Sequence, residues 1–346
     1  MDQSNPLLQE RMSFRFTGTG AEYFKIWIVN VFLTLITLGI YSAWAKVRRN
    51  RYLYASTRLE NASFEYLAQP LQILKGRLIA VGLLVVYVAS EYVSPLLQLA
   101  EALAFLIFLP WLVIRGRAFT LRNSAYRNIT FGFRANYREA AGIFILWPIL
   151  VALSLGMLYP AYVWRRSKFL VEFSAFGAQA FGFTATWRGF YLAYIKFVLL
   201  VVGIVVLIVA IGLAAFAPGS ESSGMPMPGP VAILAALIAL LAALTYIHVA
   251  VINLTWSALE IGGMRTHSEL RTPAMFWIAF SSMIAIVASF GLLIPWATVR
   301  MMRYRVERLT LLGSEHLDEL LGAGRSVDVG AAGEELSDLL GVDVAV

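Results

Sequence analysis

Three clusters of cationic side chains are the residues in this sequence best suited to bind an anion. Trp44 is followed by Lys46, Arg48, Arg49 and Arg51, Trp164 by Arg165 and Arg166, and Trp296 by Arg300 and Arg303. Guanidinium and ammonium groups donate charge-assisted hydrogen bonds to phosphate and carboxylate oxygens. Each cluster closes a segment of one pattern. A glycine (Gly39, Gly156 or Gly291) leads to a small residue or proline, then an aromatic, then a basic run that ends on Tyr52, Phe169 or Tyr304. Gly and Pro bend or end an apolar helix. Trp and Tyr sit at headgroup level, and each Lys or Arg near anionic lipid is worth about 1 kcal/mol. Three readings fit. The clusters orient and anchor the chain at the membrane interface, or they form a specific anionic-lipid or phosphate site, or they make a partner-binding surface.

Other chemistry is sparse. There is no cysteine, which removes disulfides, thiolate metal sites and cysteine nucleophiles. His248, His267 and His316 lie far apart without metal-ligand spacing, and no nucleophile-elbow, zinc-protease or Walker A motif occurs. The expectation is a protein that is not an enzyme and carries no cofactor or metal. Inside apolar segments stand Asn30, His248 and Asn253. Intramembrane polar groups often mark function, yet Asn and His also commonly bond between helices. The net charge of +7 accompanies apolar runs, so it reads as an orientation signal and lipid contact, not as a nucleic-acid footprint.

The elements that must carry these residues are membrane helices. Of 346 residues 59% are hydrophobic and 14% charged, well below the roughly 25% charged of a soluble domain. Segments 77–93, 96–114, 190–216 and 229–254 each come close to the roughly 20 apolar residues that span a bilayer. They pair through Ser94-Pro95 and through the Pro218–Pro230 loop, both without Lys or Arg, while the flanking segments are basic and read as cytoplasmic. No cleavable signal precedes the first apolar segment, which is expected to act as an uncleaved anchor. Segments 23–44, 141–163 and 276–298 are also long enough to span, but are basic on both sides. Either all three cross, giving seven spans, or all three dip and return, giving four.

Alternating aromatic and polar residues predict short β-hairpins before and after the cluster helices, at 52–57 with 63–66, at 169–173 with 180–183, and around Gly262-Gly263. The chain then divides into an N-terminal segment with a short hairpin (1–22), a first repeat (23–126), a second (127–254), a partial third (255–312) and an acidic cytoplasmic tail (313–346). The fold class expected is an all-α polytopic membrane protein, an internally repeated helix bundle with short β-hairpins on the cytoplasmic side.

Phe16-Thr17-Gly18-Thr19-Gly20, the run Thr37 to Lys46, and Gln72-Ile73-Leu74-Lys75-Gly76-Arg77 resemble the YjgN-type family of bacterial inner membrane proteins over roughly 13–340. One departure is Ala43, where the family pattern leads us to expect Pro. The resemblance implies a multi-pass protein of the bacterial inner membrane and implies no reaction. The function expected is a basic cytoplasmic face contacting anionic lipid or a protein partner. The alternative is a transporter or channel for a small, possibly anionic solute, with a midplane path lined by Asn30, His248 or Asn253.

Overall fold

The computed structural model describes residues 11–214 and 230–313. Within them the predicted hairpins do not stay separate. β1 (Arg11–Phe16), β2 (Thr57–Leu59), β3 (Ala62–Tyr66), β4 (Ser124–Tyr126), β5 (Ile129–Phe133), β6 (Ser174–Phe176), β7 (Gln179–Ala180), β8 (Gly182–Phe183), β9 (Leu259–Ile261), β10 (Met264–Ser268) and β11 (Leu309–Leu312) form one sheet of eleven strands. Its edges are β7 and β8, which are separated in the chain by Phe181 alone. β7 pairs with β6 and β8 with β9, so one run of chain serves both edges and the sheet curls into a nearly closed barrel. The all-α expectation is therefore corrected. An isolated two-stranded hairpin is marginal in water, and joining them edge to edge buries a common apolar face and leaves almost no free edge. β1 is not part of a local hairpin either. It pairs with β2 and, across the chain, with β11.

Four strand pairs turn through two residues: Glu60-Asn61, Arg127-Asn128, Gly177-Ala178 and Gly262-Gly263. Arg127, Asn128, Gly262 and Gly263 have positive φ, as the tight turn that matches strand twist requires. The fifth pair is β11 with β1. A ring of backbone hydrogen bonds locks the five together: Thr17 N–H to Ser56 O (2.8 Å), Leu67 to Asn123 (2.9 Å), Arg134 to Phe173 (2.9 Å), Thr184 to Ala258 (2.9 Å) and Glu269 to Arg308 (3.0 Å).

Between strand pairs the chain makes five helical excursions from the barrel and back. They are α1 (Gly20–Ile36) with α2 (Ser42–Ser56), α3 (Pro70–Ser90) with α4 (Pro95–Arg122), α5 (Tyr137–Ala141), a π-turn (Gly142–Leu146) and α6 (Trp147–Leu153) with α7 (Tyr159–Glu172), α8 (Trp187–Ala214) with α9 (Pro230–Trp256), and α10 (Thr272–Ala288) with α11 (Ile294–Glu307). Each helix touches the next and α11 touches α1, so the helices form a ring. α3, α4, α8 and α9 are the expected spans. At 1.5 Å per residue, 21 to 28 residues reach roughly 31–42 Å, enough for a hydrocarbon layer of about 30 Å. Only 6% to 17% of their most apolar stretches is buried within the protein, so most of that surface faces lipid. Residues 218–229 of the predicted loop and the tail from 314, with His316, lie outside the described residues.

The other three excursions are the segments that read as ambiguous, and each reverses. Leu38 and Gly39 have φ of 49° and 92°, Leu155 and Gly156 52° and 86°, Phe290 and Gly291 51° and 89°. Before each pair a hydroxyl bridges the break. Thr37 Oγ1 donates to Leu33 O (2.7 Å) and accepts from Tyr41 N–H (2.9 Å), and Ser154 and Ser289 do the same with Val151 and Leu158, and with Ile286 and Leu293. The arms run antiparallel: Tyr23 stacks on Tyr52 at 5.6 Å, and Arg300 donates to Ser281 Oγ at 2.7 Å. The break needs no proline. Ala43, Pro160 and Pro295 all stand four residues beyond the tip glycine, buried in the first turn of the returning arm.

Candidate functional site

Strand alternation builds the barrel interior. Met12, Leu59, Tyr126, Ile129, Phe176, Ile261, Met264 and Leu311 point inward at the end farthest from the helices and pack into one buried cluster. Burial raises the pKa of the Tyr126 hydroxyl, which stays protonated and donates to Leu59 O at 2.9 Å. One step nearer the helices the inward residues include Phe64, Phe131 and Phe181, but also Thr57, Ser124, Ser174 and Thr266. Thr57, Ser124 and Ser174 open their strands and donate back to the helix before them, to Leu53 O (2.9 Å), Thr120 O (2.8 Å) and Leu170 O (2.7 Å).

Small side chains at this level leave space. A cavity of about 640 Å³ lies between this buried cluster, the plug of the barrel's far end, and the ends of α2, α4, α7, α9 and α11. Its lining is largely aromatic and aliphatic, contains no Asp, Glu or Lys, and includes two arginines, Arg117 and Arg305. Arg305 Nη2 donates to His248 Nε2 at 2.7 Å, while its Nε is buried without a partner. Burial lowers the Arg305 pKa from its ordinary value, though a guanidinium so displaced keeps its charge at neutral pH. Among the described residues neither arginine forms an ion pair.

The basic clusters predicted from sequence all fall on the returning arms of the three reversing excursions, between tip and barrel. They are not one site, because α7 is separated around the ring from α2 and from α11. Lys46, Arg48, Arg49, Arg165 and Arg166 are exposed. Arg51 and Arg303, also exposed, donate to the carbonyls of Ala68 (3.5 Å) and Gly18 (2.9 Å), each in the linker that follows the helix's own strand pair. Trp164 Nε1 donates to Ala185 O at 2.8 Å in the corresponding linker. Arg165 lies over Trp164 at 5.7 Å, Arg300 over Trp296 at 5.1 Å, and Trp44 stacks on Tyr41 at 6.1 Å.

The intramembrane polar residues are not brought together. Asn30 is buried on α1 and donates to Ala45 O at 3.4 Å. Asn253 is fully engaged with the linker after β10, donating to Leu270 O (2.8 Å) and accepting from Ser268 Oγ (2.8 Å) and Leu270 N–H (3.1 Å). It fills the position that Arg51 and Arg303 fill in their units, six residues before the strand. His248 holds Arg305. The cavity and Arg117 and Arg305 were not anticipated from the sequence. The sequence signal for the cavity is the small hydroxyl residue three positions before a turn, at Thr57 and Ser174. Among the described residues no group of three or more His, Cys, Asp or Glu could hold a metal ion.

The profile of a family described as "Bacterial protein of unknown function (DUF898)" matches residues 11–339. Among curated relatives, "Inner membrane protein YjgN" of Salmonella typhimurium strain LT2 is 31% identical over 147 residues, covering 40% of this chain and 36% of the relative. The proteins of that name from Escherichia coli O157:H7 and K12 are each 30% identical, over 150 and 153 residues, covering 42% of this chain and 37% of theirs. The match thus spans little more than a third of the length of these relatives. No solved structure matches.

Proposed function

The chain belongs to the DUF898 family of bacterial proteins of unknown function, and from that premise we propose that it is a non-enzymatic protein that organises anionic lipid in one leaflet. It is a multi-pass inner membrane protein with four membrane-length helices among the described residues. The observation that carries the proposal is the height of the cations. Leu38, Leu155 and Phe290 at the three tips are 94%, 93% and 98% exposed, as apolar side chains are when lipid surrounds them. Along each returning arm the first cation, Lys46, Arg165 or Arg300, follows eight to ten residues later, about 12–15 Å at 1.5 Å per residue. That is half of a hydrocarbon layer of about 30 Å. With the tips at mid-bilayer, the exposed cations reach the headgroups of a single leaflet. The positive-inside rule makes that leaflet the cytoplasmic one and puts the barrel in the cytoplasm.

Among the described residues the polar side chains expected to line a midplane solute path do not converge. Asn30, His248 and Asn253 are held on separate partners, and the plug fills the barrel end. The proposal is tested by extracting the full chain with its surrounding lipid in polymer nanodiscs. The variant R48Q/R49Q/R165Q/R166Q is expected to lose most of the enrichment of phosphatidylglycerol and cardiolipin over bulk membrane. Enrichment equal to that of the unaltered chain contradicts the proposal.

A further inference from the structure

The barrel cavity carries a case of its own, which does not depend on the exposed cations outside it. Its volume, about 640 Å³, falls within the roughly 300–1,000 Å³ of small-molecule pockets. Filled with water at ~30 Å³ each it would take about 20 molecules. Its walls offer them little. Thr57 and Ser174 already spend their hydrogens on helix carbonyls, and most of the remaining lining is Phe, Leu, Ile, Met and Val. Apolar cavities tend to stay dry and take apolar guests.

The charges make the guest more specific. Arg117 and Arg305 stand four to seven residues before their strands, on the membrane side of the cavity, with no carboxylate in the lining to balance them. The buried Arg305 Nε has no acceptor. A guanidinium in an apolar wall calls for an anion that it can meet with charge-assisted hydrogen bonds. We propose that the cavity holds a single-chain amphiphile with an anionic head. Its hydrocarbon tail lies in the barrel against Phe131, Phe176 and Met264, and its carboxylate or phosphate lies at the Arg305 guanidinium, with Arg117 a second cation in the same lining. The helix ring, whose outer surface is already in lipid, is the side from which such a molecule arrives.

The test uses the full chain in nanodiscs of phosphatidylcholine. Three probes each carry a diazirine at the chain end: palmitic acid, palmityl alcohol and palmitoyl lysophosphatidic acid. Photolabelling of the unaltered protein by the two anionic probes is expected at the plug, on peptides carrying Leu59, Phe176 or Met264, about tenfold above the alcohol. The double variant R117Q/R305Q is expected to erase that preference, and Arg58→Gln on the outer barrel wall to leave it unchanged. The stronger of the two anionic probes then identifies the head as fatty carboxylate or phosphate. Labelling confined to exposed helix residues such as Leu84 and Leu103, or equal plug labelling by acid and alcohol, overturns the proposal. So does a preference that survives in R117Q/R305Q. Should that variant fail to assemble, the acid-to-alcohol ratio on the unaltered chain decides alone.

Discussion

The three short excursions and the two long ones leave the barrel through the same joint and end differently. Ser124 after the long α4 and Ser174 after the short α7 donate to the same place on their helices, and the ring of five linker hydrogen bonds does not distinguish long from short. What differs is the far end. In the short excursions a Thr or Ser, a Leu or Phe, and a Gly in the left-handed region fold the chain back at once. Between α3 and α4 the chain runs on through Ser94, whose hydroxyl accepts from Leu96 N–H at 3.2 Å, and Pro95 starts a new helix. A repeated junction therefore sets the architecture, while three residues at the tip set how deep each arm goes.

Perturbing joint and tip separately sharpens this contrast. The largest effect is expected in the barrel. Met264 is 2% exposed in the plug, and Met264→Ala should cost about 2–5 kcal/mol in denaturant unfolding of the detergent-solubilised protein. Leu155→Ala at a tip should stay within about 0.5 kcal/mol in the same assay. Next comes glycine, with opposite signs in the two kinds of excursion. Gly156→Ala forces a side chain into φ +86° and should cost about 1–3 kcal/mol. Gly82→Ala, in the middle of α3 with open space around its Cβ position, should leave stability unchanged or raise it by up to ~1 kcal/mol. A smaller loss, about 1 kcal/mol, is expected for Ser154→Ala, which removes the hydroxyl bridging the reversal. A loss of similar size or less belongs to the barrel rim. Glu60 pairs with Arg127 at 2.8 Å in a solvated setting, and Glu60→Gln should cost no more than about 1 kcal/mol, less at high salt.

Much of the helical part was legible in the residues. The four spans follow from apolar length alone, and the tip glycines stand out because one pattern recurs three times. The Gly262-Gly263 turn was legible because two consecutive glycines between Ile261 and Met264 leave few alternatives. The barrel was not legible. Its closure depends on pairing Met12 with Leu311 and Gly182 with Glu260, and local periodicity carries no information about such distant partners. Strand boundaries also slipped. Residues 52–56 and 169–172 alternate over too few positions to separate strand from helix, and they are the last turns of α2 and α7, packed by Tyr23, Phe133 and Phe144. Arg117 was hidden among Arg115 and Arg122 as one more orientation charge.

The absence of cysteine makes the decisive measurement direct. Single cysteines at Asn61, Ala178 and Tyr92, tested in right-side-out and inverted membrane vesicles with an impermeant maleimide, report on which side each residue lies. Because α3 crosses and α4 returns, and the third excursion turns back without crossing, Asn61→Cys and Ala178→Cys should react from one side and Tyr92→Cys from the other. Reaction of Asn61→Cys and Ala178→Cys from opposite sides would mean that the segment 141–163 crosses the bilayer, and the barrel with its ring of reversing helices could not exist.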